Sequence, residues 1–183
     1  MISRSIFFVL FVMLSSQDVL FGQKTSTGQS DELVKNGVVE QKNYGRMLHN
    51  LLSRDVPELS VSDVLDTEMV FLDTREPEEF NVSHIKGARP VGYSKVDWSQ
   101  IEALPKDTAI LVYCSVGYRS EQITNRLIDS GFTNVANLYG GIFEWKNKER
   151  EVVDMSAQPT EEVHAFDRIW GVWLRKGKKV YGN

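Results

Sequence analysis

Residues 109–113 read Ala-Ile-Leu-Val-Tyr, five apolar residues without a break, and they run directly into Cys114 and a loop containing Gly117. An unbroken apolar run of this length, with no alternation, is the pattern of a strand covered on both faces, as strands inside parallel sheets are. Parallel neighbours need crossover connections, usually helices. The flanking residues supply them. Ile123, Leu127 and Ile128 fall at helical spacing within residues 120–130, with Gly131 as the stop, and Trp98, Ile101 and Leu104 repeat that spacing within residues 98–104. Shorter apolar runs at residues 69–72 and 135–138 read as buried strands, and residues 88–91, interrupted by Pro90, as a weaker one. Residues 76–80 read as a short helix or turn and residues 142–148 as a final helix. Strand and helix in alternation predict an α/β fold with a mainly parallel sheet flanked by helices.

Outside this pattern the chain changes character. Residues 1–4 carry a positive charge and residues 6–14 are continuously apolar, nine residues long. That is short for a bilayer span and suits the core of a signal peptide. Cleavage after Gly22 is expected, giving an exported protein, periplasmic or extracellular; contact with a membrane is expected only if the segment stays uncleaved. Residues 23–43 are polar and read as a flexible leader. Met47, Leu48, Leu51 and Leu52 share a helical face in residues 44–53, and residues 60–63 look like a capped helix start, with Val61, Val64 and Leu65 inward. The domain is therefore expected over residues 44–150. In residues 151–183, Val163, Phe166, Ile169, Trp170, Trp173 and Leu174 form an apolar stripe at helical spacing, which predicts a helix docking on the domain. The basic run at residues 175–179 reads as a solvated turn.

Composition narrows the chemistry. A net charge of -4 does not suggest a nucleic-acid partner. The three histidines and the single cysteine have no zinc-site spacing, so neither metal nor cofactor is expected. One cysteine cannot form an intramolecular disulfide, and an unpaired thiol on an exported chain is a liability unless it has work to do.

Cys114 has the surroundings of a working thiol. It follows a buried strand and opens a loop that leads into a helix. Ligands of parallel sheets sit beyond the carboxyl ends of the strands. The N–H groups at the start of the following helix point at an anion in that loop. The helix dipole and Arg119 favour the thiolate, and Gly117 permits the backbone angle that lets successive N–H groups converge. Ser120 reads as the helix N-cap. Asp73 and Arg75 end the first strand on the same edge; a structural ion pair is the preferred reading, with orientation of the loop or pairing to Arg119 as the alternative. Glu79 reads as a salt-bridge partner, His84 as a hydrogen-bonded structural histidine, and Gly140, Gly141 and Trp145 as turn and packing residues.

The loop C-S-V-G-Y-R-S resembles the active-site loop of single-domain rhodaneses. Residues 70–88, with Asp-x-Arg and a later His-Ile-x-Gly-Ala, are similar to that family's upstream signature, and residues 137–145, with a Gly-Gly pair before a tryptophan, to its downstream one. Ser83 departs from the pattern, standing where a glycine is usual. The tail resembles an extension found after some exported members. The resemblance implies a rhodanese-like three-layer fold and a sulfurtransferase. Cys114 would accept sulfur from a small sulfur-containing anion such as thiosulfate and pass it to cyanide, a thiol or a protein acceptor. Backbone N–H groups around Ser115, Val116, Gly117, Tyr118, Arg119 and Ser120 would hold the persulfide. A non-enzymatic persulfide carrier or binding module uses the same loop and is the alternative. A phosphatase is disfavoured, because four residues separate Cys114 from Arg119 where a phosphate cradle has five, and Tyr113 stands where those enzymes have histidine.

Overall fold

The computed structural model describes residues 37–64 and 69–182. The expected signal segment, residues 23–36 of the expected leader, and Leu65 lie outside the described residues. In chain order the domain contains α1 (Lys42–Leu51), β1 (Glu58–Leu59), a 3-10 turn (Val61–Asp63), β2 (Val70–Asp73), α2 (Pro77–Val82), β3 (Arg89–Pro90), α3 (Ser99–Glu102), β4 (Ile110–Tyr113), α4 (Tyr118–Asp129), β5 (Val135–Leu138) and α5 (Gly141–Asn147). The five strands form one sheet in the order β1-β5-β4-β2-β3, and every pairing is parallel.

β4 is the central strand. Ile110 pairs with Val70 on one side and Val135 on the other, and Asp73 pairs with Tyr113. Because successive side chains alternate between faces, the apolar run feeds two cores. Ile110 and Val112 join Leu72, Ile101 of α3, and Ile123 and Leu127 of α4. Leu111 and Tyr113 join Tyr44 and Leu48 of α1 and Ile142 and Phe143 of α5. The sheet thus lies between two helical layers, the α/β arrangement expected.

Two local expectations are corrected. Ser60 does not cap a helix: its hydroxyl accepts from the Val38 N–H at 2.8 Å, and one 3-10 turn follows. The end of the leader is tied to the domain, since Gly37 N–H donates to Glu58 Oε2 (3.2 Å), Glu40 N–H donates to Glu144 Oε1 (3.0 Å), and Val39 is buried.

The tail does not form the expected helix. It folds into two short strand pairs: β6 (Val152–Val153) with β7 (Pro159–Thr160), antiparallel, and β8 (Glu162–His164) with β9 (Lys178–Val180), parallel. A 3-10 turn at Trp170–Trp173 lies between β8 and β9. The Asp167 carboxylate accepts from the N–H groups of Ile169 (2.7 Å) and Trp170 (2.8 Å). That local bond competes with helical hydrogen bonding. Gly177, at φ +83°, turns the chain into β9. The apolar stripe is split accordingly. Val163, Ala165 and Leu174 enter the core and Trp173 stacks on Tyr44, whereas Phe166 and Ile169 face outward. Among the described residues no helix is long and apolar enough to cross a membrane.

Candidate active site

β4 delivers the chain to Cys114, and the next four residues turn it into α4. Backbone contacts hold this loop from both sides. The carbonyls of Cys114 and Ser115 accept from the N–H groups of Ile142 (2.9 Å) and Phe143 (3.1 Å), in the first turn of α5. The approach is close enough to require glycine at Gly141: a Cβ there would fall 2.6 Å from the Ser115 carbonyl oxygen and would also meet that of Cys114. On the other side, the Gly117 carbonyl accepts from Asn137 Nδ2 (3.1 Å) and from the Glu121 N–H (2.9 Å). Gly117 itself sits at φ +115°, a conformation that a side chain resists.

The loop aims a backbone donor at sulfur. The Gly117 N–H points to Cys114 Sγ at 3.1 Å. The N–H groups of Tyr118, Arg119 and Ser120 come before the first backbone bond of α4, which Glu121 makes to Gly117, so they carry the positive end of the helix. Cys114 is almost fully buried, at the base of a pocket of about 240 Å³ that Ser115, Val116, Tyr118 and Arg119 also line. Two tail residues, Phe166 and Trp170, complete its wall.

The anion beside Arg119 is Glu79. The guanidinium donates to both carboxylate oxygens, Nη1 to Oε2 at 2.6 Å and Nη2 to Oε1 at 2.8 Å. The Ser115 hydroxyl lies 3.1 Å from both Glu79 Oε1 and Arg119 Nη2, and the Glu76 N–H donates to Glu79 Oε2 at 3.0 Å. Burial opposes the charge on Glu79, but Arg119 first, then the Glu76 N–H and the Arg75 charge, outweigh it and hold the carboxyl below its ordinary range. Burial likewise opposes the charge on Arg119, and Glu79 and the Cys114 sulfur outweigh it, so its pKa is raised. The two therefore form a charged, bidentate pair next to the thiol.

Of the residues singled out from sequence, Cys114, Ser115, Val116, Tyr118 and Arg119 line the pocket, and Gly117 supplies a donor to the sulfur. Ser120 is corrected on one point. The N-cap position of α4 is Gly117, and the Ser120 hydroxyl, fully buried, lies 2.7 Å from Asn137 Oδ1 and 3.1 Å from the Gly117 carbonyl. It braces the loop from behind. Asp73 and Arg75 form a buried ion pair with each other at 2.7 Å, and Arg75 also donates to the Ser83 carbonyl at 2.6 Å. They stay out of the pocket and do not pair with Arg119. His84 stacks on Phe80 and lies 3.2 Å from the Phe80 carbonyl, while Trp145 donates to the Glu151 carbonyl. Among the described residues no group of histidine, cysteine and acidic side chains is arranged to hold a metal ion.

Sequence reasoning missed four contributors. Asn137 and Gly141 lie inside the downstream motif, but nothing in the motif says they support the loop. Phe166 and Trp170 signalled burial as aromatics on a stripe, without saying that the stripe ends at the pocket.

Residues 60–148 match the model of the rhodanese-like domain family. The chain is similar to the probable adenylyltransferase/sulfurtransferase MoeZ of Mycobacterium tuberculosis, 31% identical over 86 residues, covering 45% of this chain and 22% of that protein. It is similar to the tRNA uridine(34) hydroxylase of Bdellovibrio bacteriovorus, 31% identical over 113 residues, covering 52% of this chain and 32% of that one. Among solved structures it resembles thiosulfate sulfurtransferase from Pseudomonas aeruginosa, with a TM-score of 0.51 and 27% identity, over 63% of this chain and 22% of that one. The chain thus spans about a third or less of the length of these relatives.

Proposed function

Residues 60–148 are a rhodanese-like domain, the domain of a sulfurtransferase family, and from that premise we propose that this chain transfers sulfane sulfur through a persulfide on Cys114. The Cys114 thiolate attacks the outer sulfur of a donor such as thiosulfate. The S–S bond of the donor breaks, its electron pair leaves on sulfite, and a new S–S bond forms on Cys114. An acceptor nucleophile, cyanide or a thiolate, then attacks the outer sulfur of the persulfide and carries it away, returning the Cys114 thiolate.

The observation that carries this reading is the Gly117 N–H directed at Cys114 Sγ at 3.1 Å, at the start of α4 and at the base of an open pocket. Backbone donors preorganised around a sulfur stabilise negative charge there, and they need no rearrangement during the reaction. Arg119 adds a cation whose position Glu79 and Ser115 fix. Asn137, Ser120 and Gly141 support the reading indirectly, because they hold the loop that aims the Gly117 N–H. The apolar run at residues 6–14 supports action outside the cytoplasm.

Steady-state kinetics with thiosulfate and cyanide test the proposal. Parallel double-reciprocal lines, with turnover abolished in Cys114→Ser, are the expected result, because the two substrates never meet on the enzyme. Intersecting lines, or turnover that survives in Cys114→Ser, would overturn it.

A further inference from the structure

The pocket over Cys114 is charged on one side only, and that charge is already matched. Among the described residues that line it, Arg119 is the one ionised side chain, and both ends of its guanidinium fork are bound to Glu79. The rest of the wall is Val116, Tyr118, Phe166 and Trp170 around the thiol, with Ser115, whose hydroxyl is already engaged by Glu79 and Arg119. A dianion such as inorganic thiosulfate would meet the backbone N–H groups at the start of α4 but no unmatched side-chain cation, and its second charge would leave water for a largely apolar wall. Burying a charge without a partner is costly, whereas burying an apolar group against such a wall is favourable.

The aromatic part of that wall is built rather than incidental. Phe166 is the residue after the buried segment Val163, His164 and Ala165, and its N–H donates to His164 Nδ1 at 3.2 Å. It holds φ at +65°, a left-handed conformation uncommon for a bulky side chain. Its ring then lies over the Arg119 guanidinium, 5.4 Å from the guanidinium carbon to the ring centroid. Trp170 is held by its N–H bond to Asp167, and Gly171 behind it is packed so closely that a Cβ would fall 2.8 Å from the Tyr181 hydroxyl. Nearly half of Phe166 remains exposed (48%), so the ring has a free face toward an incoming molecule.

We propose that Phe166 and Trp170 of the tail make this site selective for substrates whose sulfur is carried on an apolar organic group, an alkyl or aryl persulfide or thiosulfonate, over inorganic thiosulfate. The inference rests on the Cys114 persulfide reading given above. With an organic persulfide, the Cys114 thiolate attacks the terminal sulfur. The donor's S–S bond breaks, its electron pair leaves on the organic thiolate, and the terminal sulfur keeps its proton on Cys114. Oxidation states balance without a further reactant. The apolar group rests between Phe166 and Trp170 while its sulfur faces the Gly117 N–H.

Benzenethiosulfonate and methanethiosulfonate separate this proposal from general reactivity, because both are monoanions that transfer an outer sulfur and release a sulfinate. Each is offered with cyanide to the full chain, beside thiosulfate, and thiocyanate is measured. The kcat/KM for benzenethiosulfonate is expected to exceed that for methanethiosulfonate by on the order of 10-fold or more, the range that extra apolar groups give in an apolar pocket. Phe166→Leu and Trp170→Leu, checked for wild-type thermal stability, are expected to bring that ratio toward one. Equal constants for the two thiosulfonates, a ratio that survives both substitutions, or a preference for thiosulfate would overturn the proposal while leaving the persulfide reading intact. Failure of all three donors to add sulfur to Cys114 by intact mass would overturn both.

Discussion

Replacing Arg119 by alanine removes the partner of a carboxylate that cannot reach water. The Glu79 side chain is 2% exposed and that of Arg119 14%, and their bidentate contact is 2.6 Å at its shortest. Breaking a buried ion pair by deleting one member costs roughly 3–5 kcal/mol, because the survivor is left uncompensated. Here Glu79 would keep the Glu76 N–H and the Ser115 hydroxyl. A loss of about 3 kcal/mol at pH 7, the lower part of that range, is therefore expected. The sign with pH follows from the carboxyl. In the folded protein it lies below its ordinary value of 4.5, so the contribution of the pair is present in full above pH 4.5 and is lost as pH falls through the folded value. The cost of Arg119→Ala should shrink below pH 4.5, where an uncharged Glu79 needs no cation. Urea denaturation of wild type, Arg119→Ala, Glu79→Gln and the double variant measures this directly. The double variant should be more stable than the sum of the single losses predicts, by about 2 kcal/mol, since it leaves no unmatched charge. A cost under about 1 kcal/mol at pH 7, or one that is the same at pH 7 and pH 4, would refute the argument.

Gly141→Ala should both destabilise the protein, by on the order of 3 kcal/mol in thermal denaturation, and slow sulfur loading of Cys114, since the new Cβ meets the carbonyls of Cys114 and Ser115; normal loading in a stable variant would contradict the clamp. His164 is held below its ordinary pKa of 6.5, first by burial, against the opposing pull of Glu79. A group with a lowered folded pKa gives stability that is present above the unfolded value and lost as pH falls below it. Stability should therefore begin to fall below pH 6.5, and His164→Gln should remove that step; an unchanged pH profile in the variant would count against it.

The centre of the sheet was legible because β2, β4 and β5 arise from short, largely apolar runs, and β4 has no charged residue to confuse its period; the edge strand β1, two residues long and carrying Glu58, gave no such signal and was not read as a strand. The cysteine loop was legible for a related reason: a strand, a thiol, a glycine and a helix in succession leave few ways to arrange the backbone. Glu79 was recognised as a salt-bridge partner, but its mate is 40 residues away, and only the tertiary fold brings the two together. The tail misled because helical spacing of apolar residues does not exclude other structures. Asp167 diverts the backbone hydrogen bonds locally, Gly171 and Gly177 allow tight approaches, and long-range pairing of β8 with β9 decides the outcome. Ser120 looked like a cap by residue type, yet its hydroxyl serves Asn137 on the neighbouring strand. That contact depends on tertiary structure, which spacing alone does not encode.

Intact mass spectrometry after donor alone tests the central claim most directly. The chain is incubated with thiosulfonate or thiosulfate, freed of excess donor, weighed, and then given cyanide. A gain of about one sulfur atom per chain, carried by the peptide containing Cys114, absent in Cys114→Ser and discharged as thiocyanate, is the predicted result. A folded wild-type protein that gains no sulfur from either donor, or gains it equally in Cys114→Ser, would contradict the account.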